Sequence, residues 1–451
     1  MTILEQLAEY IVHARFTESE RKAVFPHITD ALLAYLCGHF TSEGRQLISL
    51  KSKSSAIIKR DMYTNSLLDD VLISCAITRL TEIDDIHISS CTTPGAVVIP
   101  TVKTLISYNE DISVEAISDA IIIGYDVITR LGKTINGPEV LYKGVWPTYF
   151  CAAFGTAAIT ARLLCLSKSE TVHALSLALT LSTGGVSQGA KSPFRWFTLG
   201  YAARTGCMAA MVGAKGFTGN TEMIEGDWFN RTYGIQSNTT HLLTGLGQEN
   251  LINSVSMKPY CSAKQALQSI YGLHRILNQG ISANEIERVN IYVPPQFATM
   301  INHGVTGRLS SLTSVQYQLS LAAYHPASLY DIDRSEIIES QEIMAFMNKV
   351  QVFGDSDLAI DYPEVWATRV EVETLTTTVK QFVSESPGDP GMKFNKVDLQ
   401  NKIQCFIEPI LGEGYAQKFI QLDADIAASK ESLFKLFNWI EEIIQSDKPK
   451  R

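Results

Sequence analysis

Apolar residues recur at intervals of three and four along most of the first 255 positions. Ile3, Leu4, Leu7 and Ile11 share one helical face, and Ala/Leu/Ile-rich stretches follow at 67–80, 115–131, 150–165, 170–183 and 199–213. Local residues mark two of the starts. Thr93-Pro94 fits an N-cap with proline at the first helical position, and Ser167-Lys-Ser-Glu170 fits a capping box. After Lys258 the texture changes: Val289-Asn-Ile-Tyr-Val293 alternates and stops at Pro294-Pro295, while Val350–Phe353 and Arg369–Thr376 read as further short strands. Helical spacing at 263–278 and 313–323 lies between them, and the turn-rich Ser386–Gly391 closes the mixed segment. From 397 to 447 helical spacing returns, with Leu433, Leu436, Phe437, Ile440 and Ile443 in step. The pattern predicts a mostly α protein: a large all-helical domain built from both chain ends, 1–257 and 396–451, and a smaller inserted α+β domain over 258–395.

A chain of 451 residues can bury a large core and is long enough to divide at least once. Its 45% hydrophobic and 19% charged residues are those of an ordinary globular enzyme. The balance of 38 Lys+Arg against 47 Asp+Glu, a formal charge of -9, opposes a nucleic-acid surface while leaving room for a local cationic pocket. The longest apolar stretches, around Ala116–Ile128 and Cys151–Leu166, are interrupted by Asp119, Asp126 or Arg162 and fall short of a bilayer span, so they read as buried helices. The first ten residues carry acids where an export signal carries cations, and the eight cysteines form no CxxC. The expectation is a cytoplasmic protein with buried, reduced thiols.

The chain has no Walker loop, no GxGxxG after a strand, no HExxH and no GxSxG, and its nine histidines never take metal-ligand spacing.

Several longer segments, taken in order, carry more information. They are Glu82-Ile-Asp-Asp85-Ile-His87 followed by Thr93-Pro94-Gly95 and an apolar run ending at Pro100; Gly124 to Gly132; Gly144-Val-Trp146-Pro-Thr148; Lys191 with Gly200-Tyr-Ala-Ala203; Lys215-Gly-Phe-Thr-Gly219; Lys258-Pro-Tyr-Cys261; Ser314-Val-Gln-Tyr317; and Gly388-Asp-Pro-Gly391. Their order and spacing, over about residues 5 to 440, resemble the MmgE/PrpD family of lyases and isomerases. The resemblance implies a helical domain from both chain ends, an α+β insertion closing over a cleft, a homodimer, and catalysis without a metal or organic cofactor. It also implies a small carboxylate substrate, with no nucleic-acid or membrane partner.

Proton transfer, elimination or cyclisation α to a carboxylate or imine needs cations to hold the anion and a positioned acid/base pair. Registration on the family makes Lys258 and Lys191 candidate carboxylate-binding cations, Tyr317 a candidate proton donor, and Asp85 a candidate base or orienting group. Residue type alone also allows plainer roles: backbone capping for Asp84 and Asp85, solvation for the lysines, and core packing for Tyr317.

The departures from the family pattern bear on mechanism. Thr93 and Trp146 stand where the family carries histidines, and neither side chain exchanges a proton near neutral pH. His87 is a candidate substitute imidazole or a capping histidine. Trp146 adds an apolar face suited to a less polar or ring-bearing substrate. Arg195 competes with Lys191 for the family lysine position and would grip a carboxylate with two parallel hydrogen bonds without transferring a proton. Two readings follow: a lyase or isomerase of altered chemistry, or a catalytically silent binding or regulatory protein on the same fold.

Overall fold

Side-chain caps set most of the helix starts in the amino-terminal half. Thr2 and Glu5 form a reciprocal capping box at the head of α1 (Ile3–His13), and Thr17 with Glu20 does the same for α2 (Glu18–Lys22). Then follow α3 (Phe25–His39), α4 (Ser42–Ser49), α5 (Leu67–Arg79), α6 (Gly95–Ser107), α7 (Val114–Thr134), α8 (Gly137–Tyr142), α9 (Pro147–Leu163), α10 (Lys168–Thr180), α11 (Phe194–Gly213) and α12 (Trp228–Tyr233). The capping box expected at Ser167 and Glu170 opens α10. The computed structural model describes residues 1–50, 66–109, 111–182, 192–334 and 337–446, so Lys191 lies outside the described residues. The chain divides into two units: Met1–Leu80 with Asp84–Val255 and Ile407–Arg451, and Thr81–Ile83 with Ser256–Phe406.

The core of the helical unit is built on α9, which is buried along nearly its whole length and packs against α7 and α11. Glycines permit the closest approaches: a Cβ at Gly206 would lie 1.9 Å from the Ala153 carbonyl oxygen, and one at Gly200 would lie 2.1 Å from that of Leu72. Helix α11 can therefore lie backbone to backbone on α9 and α5, which its even spread of small residues anticipates.

In the smaller unit α13 (Lys264–Leu277) precedes β1 (Ile286–Val293), α14 (Pro295–Ile301), α15 (Arg308–Thr313), α16 (Val315–Tyr324), α17 (Gln341–Lys349), β2 (Val350–Gly354), β3 (Thr368–Thr374) and β4 (Thr378–Val383). The strands form one sheet in the order β2-β1-β3-β4, with β1 parallel to β2 and the other pairs antiparallel. Helix α13 covers β3 and β4, its Gly272 set against Val370. Helices α18 (Lys396–Leu411), α19 (Glu413–Asp423) and α20 (Lys430–Gln445) end the chain.

Three details differ from expectation. Strand β4 is an additional edge strand, its residues alternating exposed and half-buried too weakly to read as a strand in the sequence. Thr93 does not cap α6 with its side chain; Pro94 takes the cap position and the cap comes from elsewhere. Six cysteines are buried as expected, but Cys165 is exposed and Cys405 half-buried.

Candidate functional site

The missing cap of α6 is supplied ten residues upstream. Asp85 Oδ1 accepts the Gly95 backbone N–H at 2.8 Å, while Oδ2 accepts the Tyr125 hydroxyl at 2.7 Å and lies 3.4 Å from His27 Nδ1. Glycine at 95 is required, because a Cβ there would fall 2.7 Å from both carboxylate oxygens. The neighbouring Asp84 pairs with Arg79 at 2.8 Å in the same buried layer. This packed carboxylate fixes where the chain leaves the Asp85 loop and enters α6, and the Tyr125 phenol beside it is held far above its usual range by burial and by the Asp85 charge.

His87 belongs to that loop. Its backbone bridges to Thr92, and its Nδ1 accepts the Ser90 N–H at 3.2 Å and lies 2.9 Å from the Ser90 hydroxyl. Burial, reinforced by the Lys133 charge and only partly opposed by Asp85, pushes the imidazole down to about 3. It is a neutral acceptor at physiological pH.

Thr93 and Trp146 come together. The Thr93 backbone N–H donates to Thr148 Oγ1 at 3.0 Å and the two hydroxyls lie 3.2 Å apart, which ties the entry of α6 to the first turn of α9, immediately after Trp146. The Trp146 ring stacks on Tyr149 at 5.5 Å and carries the Arg195 guanidinium at 5.0 Å on its face; Trp196 lies 5.1 Å from the same guanidinium. A buried arginine and two helix N-termini therefore gather at one place in the helical unit, an arrangement that favours an anion.

In the smaller unit Lys258 sits on an extended strap pinned at several points. Met257 N–H donates to the Gly388 carbonyl at 2.9 Å, Cys261 N–H to Leu329 at 3.0 Å, and Ala263 N–H to Leu312 at 2.8 Å. The Cys261 carbonyl accepts from Arg334 at 2.8 Å and from Gln318 at 3.2 Å, so the strap is joined to the helix that carries Tyr317. Lys258 itself is 1% exposed, its Nζ 3.2 Å from the Glu82 carbonyl oxygen and 3.6 Å from the Glu82 carboxylate. Glu82 holds a left-handed backbone conformation, φ 58°, that a non-glycine residue adopts at a cost. The Tyr317 hydroxyl accepts the Ile338 N–H at 3.0 Å, which leaves its own proton to be donated.

Three contributors were not singled out in the sequence. Glu82 is the carboxylate beside Lys258; its signal was its place at the head of the Glu82–Asp85 segment. Arg334, fully buried and lowered from its ordinary range by desolvation, clamps the strap from a turn with φ 41°. Gln318 acts beside it through the adjacent residue to Tyr317. No local pattern marks these last two, because their partners are carbonyls distant in sequence.

The two halves of a single family pattern account for this arrangement: the MmgE/PrpD N-terminal domain matches residues 5–238 and the MmgE/PrpD C-terminal domain matches residues 261–428. The chain belongs to the MmgE/PrpD family. Within it, the chain is similar to cis-aconitate decarboxylase of Aspergillus terreus, 22% identical over 315 residues, or 65% of this chain and 61% of that protein. A second Aspergillus terreus protein of the same name is also 22% identical, over 311 residues. The chain thus spans about three fifths (61%) of the length of these curated relatives. Among the described residues no helix is long and apolar enough to cross a membrane.

Proposed function

We propose that this MmgE/PrpD protein is a cofactor-independent lyase or isomerase that moves a proton, or eliminates a group, α to a carboxylate of a small substrate. The observation that carries the reading is the buried Lys258 ammonium beside Glu82. A lysine withdrawn from water at this depth is costly unless a counter-charge accompanies it, and the Glu82 carboxylate lies 3.6 Å away. A cation so held stabilises negative charge developing on an enolate-like intermediate far better than one in water.

Lys258 would bind the substrate carboxylate and the charge that develops on it, and Tyr317 would return a proton through its free O–H. Lys191 is a second candidate cation. Asp85 is a positioning residue: three partners hold it, and it in turn sets the path of Thr93. His87, neutral to about pH 3, serves the loop that carries it and is not the proton carrier. Arg195 on Trp146 suits a carboxylate attached to a flat or apolar body. The silent-protein reading rests on Thr93 and Trp146 standing where the resemblance leads one to expect imidazoles.

The test is proton NMR in deuterium oxide over a panel of small di- and tricarboxylates, amino-dicarboxylates and their imines. Saturable loss of an α-hydrogen signal or formation of product supports the enzyme. Its absence across the panel from a folded protein favours the silent alternative.

A further inference from the structure

A second group of cations lies in the helical unit, and none of the candidate site residues described above lines it. Helix α1, the segment after it, α2, the head of α7 and the tail of α9 surround a pocket of about 370 Å³. Three guanidinium groups, Arg15, Arg21 and Arg162, face two carboxylates, Glu115 and Asp119, which leaves one positive charge in surplus.

The three arginines are not equivalent. Arg162 is spent on structure: it donates to the Ile11, Val12 and Ala14 carbonyls at the end of α1 and to Asp119 at 2.9 Å. Arg21 binds Asp119 through Nε at 2.7 Å and Nη2 at 3.2 Å, so its Nη1 points donors elsewhere. Arg15 is exposed and has no side-chain partner among the described residues. Ser113 and Cys165 also line the pocket, and the rest of the wall is apolar, with Val12, Ala116, Ala161 and Leu166.

We propose that this pocket binds a short monocarboxylate, its anionic end on Arg15 and Arg21 and its hydrocarbon body against Val12, Ala161 and Leu166. The fork of a guanidinium matches a carboxylate. A surplus of one charge suits a monoanion and disfavours a phosphate dianion, which Glu115 would repel. An apolar wall rewards a carbon chain that sulfate or phosphate lacks.

The experiment is a calorimetric titration of the full-length protein with butyrate, butyramide and inorganic phosphate, run on wild type, Arg15→Gln, Glu115→Gln and Lys258→Met. Saturable butyrate binding should weaken roughly tenfold in Arg15→Gln, the loss of one charge-assisted hydrogen-bonding group. It should tighten in Glu115→Gln and persist in Lys258→Met, which separates this pocket from the proposed catalytic site. Absent butyrate binding, equal binding of butyramide, tighter binding of phosphate, or indifference to either the Arg15 or the Glu115 change overturns the proposal. Loss of binding in Lys258→Met alone places butyrate at the catalytic site and overturns it equally.

Discussion

The Lys258 ammonium lies 3.6 Å from the Glu82 carboxylate, and the two side chains are 2% and 5% exposed. Removing the Glu82 carboxylate takes a counter-charge away from a cation held out of water. Glu82→Gln should lower stability by about 3 kcal/mol, read as a shift of the urea unfolding midpoint. A midpoint within error of wild type would mean that Glu82 is not the counter-charge.

Asp85 illustrates the opposite case, a carboxylate whose value lies in its hydrogen bonds. Asp85→Ala leaves the Gly95 N–H and the Tyr125 O–H buried without their acceptor, an expected loss of about 2–5 kcal/mol for the two groups together. Asp85→Asn keeps an acceptor for Gly95 and should cost less than half as much. Equal losses in the two variants would show that charge, and not the cap, is what the site needs.

His87 gives a pH signature. Its folded pKa, depressed to about 3 from 6.5, means that the unfolded chain takes up a proton first as the pH falls. The contribution is therefore fully present above about pH 6.5 and is lost progressively on acidification toward pH 3. At pH 4.5 the loss is about 2–3 kcal/mol at 1.36 kcal/mol per unit. His87→Asn keeps an acceptor for the Ser90 N–H, so the difference in stability between variant and wild type should shift in the variant's favour by that amount between pH 7 and 4.5. A pH-independent difference would place the acid sensitivity on other groups.

Much of this was legible in the sequence and some was not, for identifiable reasons. Helices α5, α7, α9, α10 and α11 announce themselves because their apolar residues repeat over several turns, and Ser167 with Glu170 marks a start within four residues. Thr93 misled because Thr-Pro is a local signature of a cap, while the acceptor used, Asp85, sits ten residues away across a folded loop. Lys258, Tyr317 and Asp85 are candidates that the family pattern names, with their roles proposed above. The Glu82 contact, the Arg334 clamp and the Thr93–Thr148 bond arise only when distant segments meet, and no periodicity encodes them.

Gly388 offers a test of the strap that carries Lys258. Its φ of 95° excludes ordinary side chains, and a Cβ there would sit 2.1 Å from the Met257 carbonyl oxygen. Gly388→Ala should cost about 2–4 kcal/mol from backbone strain and the forced shift together. It should also depress turnover more than substrate affinity in the surviving folded fraction, because a displaced lysine misaligns the reacting groups. Unchanged stability and turnover would remove the turn from the account.

The most direct measurement compares wild type with Lys258→Met and Tyr317→Phe in deuterium oxide, following α-hydrogen exchange on whichever small carboxylate the wild-type protein turns over. Methionine fills much of the lysine's volume without its charge, and phenylalanine removes only the hydroxyl that accepts the Ile338 N–H. The expected result is exchange reduced by at least about a hundredfold in each variant, the scale of a lost acid/base or electrostatic group, with circular dichroism unchanged. Exchange at the wild-type rate in a folded Lys258→Met protein would contradict the central claim.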